Sequence, residues 1–420
     1  MTPPPSITSH RLGNGLRVAL APDHRVPVVS ASLWYGVASA HEREGRSGFA
    51  HLFEHMMFQG SAKVAKAEHF AAVQAAGGRT NASTGVDATV YQDTLPSHEL
   101  ELALWLEADR MATLGEALTQ EKLDNQRNVV KNERRKRVDN VPYGTWEERS
   151  FALAFPATHP YHRSSWGSME DLSAASLQDV QEFFAAHYVP NNASLTLVGD
   201  FEPDAALSLV DRHFGGIPRA PHPPGPDGDA EPLTHPINRE EVRGDVPMPG
   251  LYLVCQVPPL GDAGFSVAEL VGDLLVRGRA SRLQKRLVRE QRVAQAVDAW
   301  TMELLQGASL LLIEVMVPPD VEPADLEAAL DSELDLLASQ PPSGEELARV
   351  RLQRATQRAK TMQKVEQRAD RIGMYASLLD DPNRFLGEQQ RDGDIGPEDV
   401  RGFARAWLAS GNRKYLWYLP

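Results

Sequence analysis

The sequence predicts an α+β protein built twice: two homologous α/β sandwiches, each a mixed, mainly antiparallel sheet with helices packed on it, joined by a Pro-rich linker. Three observations carry this. At 420 residues the chain is too long for one ordinary core. Residues 216–240 are rich in Pro and Gly, a composition that reads as an extended linker between residues 1–215 and 241–420. The order strand, helix, strands, long helices, strand runs once before that stretch and again after it.

In the first half, Leu12-Gly-Asn-Gly-Leu16 is a turn between two short strands, the second being Leu16–Ala21. Val28–Val37 is a strand of β-branched and aromatic residues, and a helix over Ser47–Gly60 follows it. A further helix fits Lys66–Ala76, closed by Gly77-Gly78. Thr80–Leu95 reads as two strands around Gly85, ended by Pro96. Helices are expected over Ser97–Met111, over Thr119–Val138 with Thr119 as N-cap, and over Leu177–Tyr188, before the strand Ala193–Gly199. In the second half the strands are Gly250–Val257, Gln295–Met302, Ala308–Pro318 and Arg413–Leu419. Helices there are Asp262–Val276, Ser281–Glu290, Pro323–Ser339, Gly344–Lys364 and one beyond Gly396.

Composition removes several function classes. The net charge of −14 disfavours a general nucleic-acid binder; the basic run Arg134–Arg137 is better read as a solvated helix face. The single cysteine, Cys255, allows no intrachain disulfide and no cysteine-based zinc site, so any metal must be held by His and carboxylate. No apolar run approaches the ~18 residues of a membrane span. The first residues, MTPPPSITSHRLGNG, carry neither a basic nor an apolar signal region, so a cytoplasmic protein without membrane association is the expectation.

The chemistry concentrates in Ser47–Gly60, SGFAHLFEHMMFQG. On a helix His51 and His55 stand one turn apart on the same face, a spacing that lets two imidazoles reach one metal ion. Glu54 leans toward that face, and a carboxylate beside a metal can turn a bound water into a nucleophile. The order H-x-x-E-H is the inverzincin signature. A solvated helix face is the plain alternative. The apolar flanks, Phe49, Ala50, Leu52, Phe53, Met56, Met57 and Phe58, argue against it, because polar groups set in such a helix are costly unless satisfied. A catalytic zinc takes three protein ligands, and spacing alone does not choose the third among the many Asp and Glu.

His51-Leu-Phe-Glu54-His55, followed 78 residues later by Glu133 in NQRNVVKNERR, resembles the pitrilysin family of zinc peptidases, to which mitochondrial processing peptidase belongs. GGRTNASTGVDATVYQDTLP and HPYHRSSWGSMEDL are similar to that family too, and the likeness covers nearly the whole chain. The resemblance implies one zinc per chain held by His51, His55 and Glu133, with Glu54 as general base. It implies that Asn81 and Ala82 lie on an edge strand that pairs with an extended peptide, although a strand-end or turn role for Asn81 stands beside that reading. It also implies an enclosed chamber that admits peptides and unfolded segments.

Two departures qualify the likeness. Where many members have a Glu two turns before the third ligand, this chain has Gln126, whose amide can still hydrogen-bond a ligand or substrate. Active members also carry an Arg and a Tyr seven residues apart in the C-terminal half; aligned on Arg286-Leu287, those positions are Val288 and Gln295. A zinc site without the Arg–Tyr pair is the pattern of the zinc-bearing chain of a heterodimer whose second, homologous subunit supplies the pair. A self-sufficient homodimeric peptidase and a non-catalytic structural subunit of the core-protein type are the alternatives.

Overall fold

The computed structural model describes residues 6–221, 223–226 and 238–420. Much of the expected linker, residues 222 and 227–237, therefore lies outside the described residues. The strands are β1 (Thr8–Arg11), β2 (Arg17–Pro22), β3 (Val28–Tyr35), β4 (Arg79–Thr84), β5 (Thr89–Pro96), β6 (Ala193–Gly199), β7 (Arg239–Arg243), β8 (Gly250–Val257), β9 (Ala296–Met302), β10 (Ser309–Met316) and β11 (Lys414–Leu419). The helices of the first half are α1 (Phe49–Met56), α2 (Glu68–Ala75), α3 (Leu100–Ala117), α4 (Gln120–Arg134), α5 (Trp146–Ala154), α6 (Met169–Ala174), α7 (Leu177–His187) and α8 (Pro203–Phe214). Those of the second are α9 (Ala263–Val276), α10 (Pro323–Ser339), α11 (Gly344–Gln363), α12 (Val365–Leu378), α13 (Glu388–Asp394) and α14 (Pro397–Trp407).

Two mixed sheets with packed helices make this an α+β protein. One sheet has the order β1-β2-β6-β3-β5-β4 and the other β7-β11-β8-β10-β9. The β2–β6 pair is parallel and the other pairs of the first sheet are antiparallel; in the second sheet only β11–β7 is parallel. Leaving out β1, the five strands of each sheet share one order and one pattern of directions, so the repeat seen in the sequence is a repeat of topology. Short hairpins join β1 to β2, β4 to β5 and β9 to β10, and the strand that makes the parallel pair in each sheet, β6 or β11, is reached through a long run of helices.

The chain divides into two compact units that do not follow the sequence halves. The first comprises Met1–Glu133, Ser164–Asp227 and Ala359–Gly387; the second comprises Arg134–Arg163, Gly228–Arg358 and Glu388–Pro420. Each sheet thus takes one helix from the other half of the sequence. In the second unit α5 lies on β8 and β11, with Trp146 stacked on Tyr252 at 5.7 Å and 10°. The same unit is tied by Arg354 of α11, which pairs with Glu269 and Asp273 of α9 at 3.3 and 3.0 Å and with Asp392 of α13 at 2.7 Å.

In the first unit one face of β3 and β6 presents Val29, Ala31, Leu33, Tyr35, Leu195 and Leu197 to the main core, together with Phe53 of α1 and Leu104 of α3. The other face is small and polar: Ser30, Ser32, Ser194 and Thr196 are fully buried beside Trp34. That face is covered by α12, an element the sequence periodicity did not announce. Arg368 of α12, only 2 % exposed, pairs with Asp23 at 2.6 Å, and the Arg17 guanidinium caps the carbonyls of Ala376 and Ser377 at 3.0 and 3.1 Å. Small hydroxyl residues let the helix come close, and Gly373 makes the nearest approach. A Cβ there would stand 2.5 Å from Trp34 Nε1 and 2.8 Å from its Cδ1, while that indole is held by a 3.0 Å bond to Ser32. Gly373→Ala is expected to cost about 1–3 kcal/mol through overpacking, despite the better helix propensity of Ala. An unchanged urea midpoint would show that α12 can slide to make room.

Candidate metal centre

Helix α1 is short, and its position is fixed from outside. The Glu42 carboxylate, 1 % exposed, accepts the backbone N–H groups of Gly48 at 2.8 Å and Ala50 at 2.7 Å. It thereby satisfies two donors that a helix start leaves without partners, and its negative charge complements the helix dipole. One residue earlier, Asp171 accepts both the backbone N–H and the hydroxyl of Ser47, at 2.9 and 2.6 Å, and the Ser47 oxygen accepts the Ser168 N–H at 2.9 Å. Gly48 and Gly167 cross in contact, both with left-handed backbones (φ +84° and +67°); a Cβ on Gly167 would lie 2.3 Å from Gly48 Cα. This crossing delivers Trp166, whose ring stands edge-on to His51 at 5.0 Å and 80°.

Phe49, Ala50, Leu52, Phe53 and Met56 turn into the core, which leaves His51, Glu54 and His55 on the remaining face of α1. Helix α4 crosses that face. Its Leu123, Gln126 and Val130 point inward, and one more turn brings Glu133 to the histidines. Glu133 Oε2 is 3.2 Å from His55 Nε2 and 3.8 Å from His51 Nε2, and one donor atom from each of the three residues lies within 4.8 Å of the others. Two ligands about 2.1 Å from a tetrahedral zinc stand about 3.4 Å apart, so the two measured separations bracket the value that one ion requires. The donor set of two imidazoles and one carboxylate also suits zinc.

Glu54 sits beside this triad. The Thr84 hydroxyl donates to its Oε2 at 2.6 Å. Burial pushes its carboxyl above the ordinary range, an effect opposed by the Thr84 bond and the charge of His55. Thr84 ends β4, which is the edge of the first sheet and carries Asn81 and Ala82. The Gly85 N–H bond to Ala88 O at 3.0 Å sets the alternation of the β4–β5 hairpin. Thr80, Ala82 and Thr84 accordingly aim their backbone groups away from β5, while the Asn81 backbone is used in the β4–β5 ladder. Gln126 is buried and donates to Asn125 Oδ1 at 2.8 Å. Val288 and Gln295 both lie in the second unit, Val288 half-buried against its core and Gln295 exposed, with its backbone N–H bonded to Met316 O at 2.8 Å.

A second group, His69, Asp93 and Glu107, is equally close-set and fully buried. It already contains a cation. Arg110 donates to Glu107 at 2.8 Å and lies 4.3 Å over the Tyr91 ring. Burial pushes the Glu107 carboxyl up and the Arg110 guanidinium opposes it, so this cluster is an internal ion-pair network.

Residues 17–150 match the family described as insulinase (peptidase family M16), and residues 174–354 match the peptidase M16 inactive domain. The chain belongs to the M16 peptidase family. Within that family it is similar to zinc protease PqqE of Helicobacter pylori, 29% identical over 385 residues, covering 89% of this chain and 84% of that protein. A crystal structure of a protease from Helicobacter pylori superimposes with a TM-score of 0.93 at 27% identity, covering 99% of this chain and all of that one. Mitochondrial-processing peptidase subunit beta of Bos taurus is 29% identical over 206 residues, 49% of this chain and 41% of that protein.

Sequence reasoning missed Glu42, the Ser47–Asp171 and Gly48–Gly167 contacts, Trp166 and Thr84. Only Glu42 left a signal, an acid shortly before a helix start. Glu42→Ala is expected to cost about 2–3 kcal/mol, since two buried N–H groups lose a charged acceptor, whereas Glu42→Gln keeps one acceptor oxygen and should lose about half as much. Chemical denaturation of the two variants checks the order; equal losses would show that the charge and not the bonds matters.

Proposed function

We infer that this chain is a zinc metalloendopeptidase that hydrolyses peptides or unfolded segments in an enclosed chamber. It is the zinc-bearing subunit of a heterodimer whose homologous partner supplies the Arg–Tyr pair. The observation that carries this is the convergence of His51, His55 and Glu133 within bridging distance of one ion, with Glu54 beside them. The names of the relatives, zinc protease and mitochondrial-processing peptidase, support the reaction class.

His51, His55 and Glu133 would hold the zinc, which would supply Lewis acidity toward a water, whose pKa falls from about 16 toward 7 on such an ion, and toward a peptide carbonyl. Glu54 accepts the proton of the attacking water and later delivers it to the leaving amine. The free edge of β4 at Ala82 pairs with the peptide backbone, which gives affinity without demanding a sequence, and Asn81 flanks it. Gln126 stands behind Glu133 as an amide where a second carboxylate would add charge. Val288 and Gln295 offer neither a cation nor a phenol to the tetrahedral oxygen, so that stabilisation comes from the second subunit.

Two measurements test the reading. Metal analysis of the purified chain should give one zinc per chain, lost in His51→Ala and Glu133→Ala; a metal-free wild type would favour the non-catalytic core-type subunit instead. Native mass and peptide turnover, with and without a co-expressed homologue carrying an Arg–Tyr pair, should show a heterodimer and a large gain in rate. Full activity of the chain as a homodimer would remove the heterodimer from the reading. The expected cytoplasmic location is checked by fractionation.

A further inference from the structure

We propose that Thr84 is a positioning residue for Glu54, so that the strand that docks the peptide also holds the base; this rests on the peptidase reading above. Glu54 projects from a helix through three rotatable bonds, and the last of them, which turns the carboxylate plane, has only a broad preference of its own. The 2.6 Å bond from the Thr84 hydroxyl to Oε2 fixes that plane and commits one of the two oxygens, leaving Oε1 for a further donor. Thr84 is a suitable anchor. It is β-branched, which restricts its χ1, and it sits in a paired strand opposite Thr89. The ordering of the base is therefore completed by folding, before any substrate arrives.

The backbone of β4 adds the second half of the argument. Of the three residues whose backbone groups face away from β5, the last, Thr84, is the one whose hydroxyl holds Glu54. On that free edge Ala82 lies two residues, or roughly 6–7 Å, along the strand from the group that holds the base. A peptide paired on Ala82 and a base held by Thr84 share one rigid strand, and the step between them is set by strand geometry. The ligand class is any extended peptide segment with free backbone donors and acceptors at that register. Nothing in the arrangement reads its side chains.

The test uses the zinc-loaded chain, with its partner subunit where one is required. Thr84→Val keeps the branched shape and removes the hydroxyl. Its kcat is expected to fall roughly 10- to 100-fold, the scale of a misplaced catalytic group, with KM and zinc per chain within about twofold of wild type. Thr84→Ser restores the hydroxyl and should return kcat to within about threefold, a recovery that repair of strand packing alone would not produce. On a Glu54→Gln background Thr84→Val should add no further loss, because the two residues act as one unit. A fluorescently labelled unfolded peptide, titrated into metal-free Glu54→Gln and metal-free Glu54→Gln/Thr84→Val, should bind both alike. Unchanged kcat in Thr84→Val, or a loss that appears in zinc content or peptide affinity and is not rescued by Ser, overturns the inference. An inactive Glu54→Gln beside a wild-type-like Thr84→Val overturns it alone, whereas an active Glu54→Gln overturns the peptidase reading with it.

Discussion

Glu54→Gln is expected to lower kcat by about 10²–10⁴-fold while zinc content and KM stay near wild type. The amide matches the carboxylate in shape and keeps an oxygen that can accept the Thr84 hydroxyl bond. It cannot take a proton from water at neutral pH. The loss therefore belongs to the chemical step and to no change in the fold. His51→Ala and Glu133→Ala provide the contrast. Each removes one of the three donors gathered around a single point, so each should lose the metal as well as turnover. Zinc content separates the two kinds of inactive protein. A Glu54→Gln enzyme that turns over within about tenfold of wild type would show that another group takes the water proton.

Acid should weaken the first unit through two histidines near the start of α1, the half-buried His41 and the buried His187. His41 and His187 stand 6.1 Å apart, and His187 packs against Phe183 at 4.7 Å. Burial lowers both to about 4; for His187 the charges of His41 and Arg43 add to it. In the unfolded chain each takes up a proton near the ordinary value of about 6.5. The native state binds fewer protons than the unfolded state between these values. Its stability is therefore fully present above about pH 6.5 and is lost as pH falls toward about 4. Each pKa unit corresponds to about 1.4 kcal/mol, so each ring contributes on the order of 3 kcal/mol of acid sensitivity. Urea midpoints at pH 7.5, 6 and 5 measure the slope. His187→Phe, an aromatic ring without a titrating group, should flatten it. An equally steep slope in that variant would assign the acid sensitivity to other groups.

The order of elements and the doubled α+β frame were legible because both depend on local signals. Strand β3 announces itself by β-branched and aromatic residues, and α9 by an apolar helical run. His51, Glu54 and His55 were legible for the same reason: they occupy one turn of one helix. Glu133 was not legible from spacing, since a carboxylate that meets the two histidines from far along the chain looks like any other surface acid; only the family likeness singled it out. The supports were out of reach entirely. Ser47 meets Asp171 across 124 positions, and Gly48 meets Gly167 across a similar interval. A single residue whose partner is that distant leaves no periodicity to read. Helix α12 failed for a different cause. Its Gly373 and the charged residues Arg368 and Asp370 blur an apolar stripe, because the sheet face it covers is itself polar and close. A few boundaries moved as well: Thr119–Val138 reads as one helix, but α4 stops at Arg134 and continues as a wider turn over Arg135–Asp139.

The membership of α12 in the first unit bears on how the protein is made. Residues up to Gly199 complete the first sheet, and the helix that covers its outer face begins at Val365, so 365 − 199 = 166 further residues must leave the ribosome before the sheet is covered. At typical synthesis rates that interval is about 10–30 s. For that time the face made by Ser30, Ser32, Ser194 and Thr196 faces water. Hydroxyl side chains suit such a wait, since a face of Val and Leu would invite association with other nascent chains. The polarity of that surface, which gains the finished protein little, is what a late-arriving cover requires.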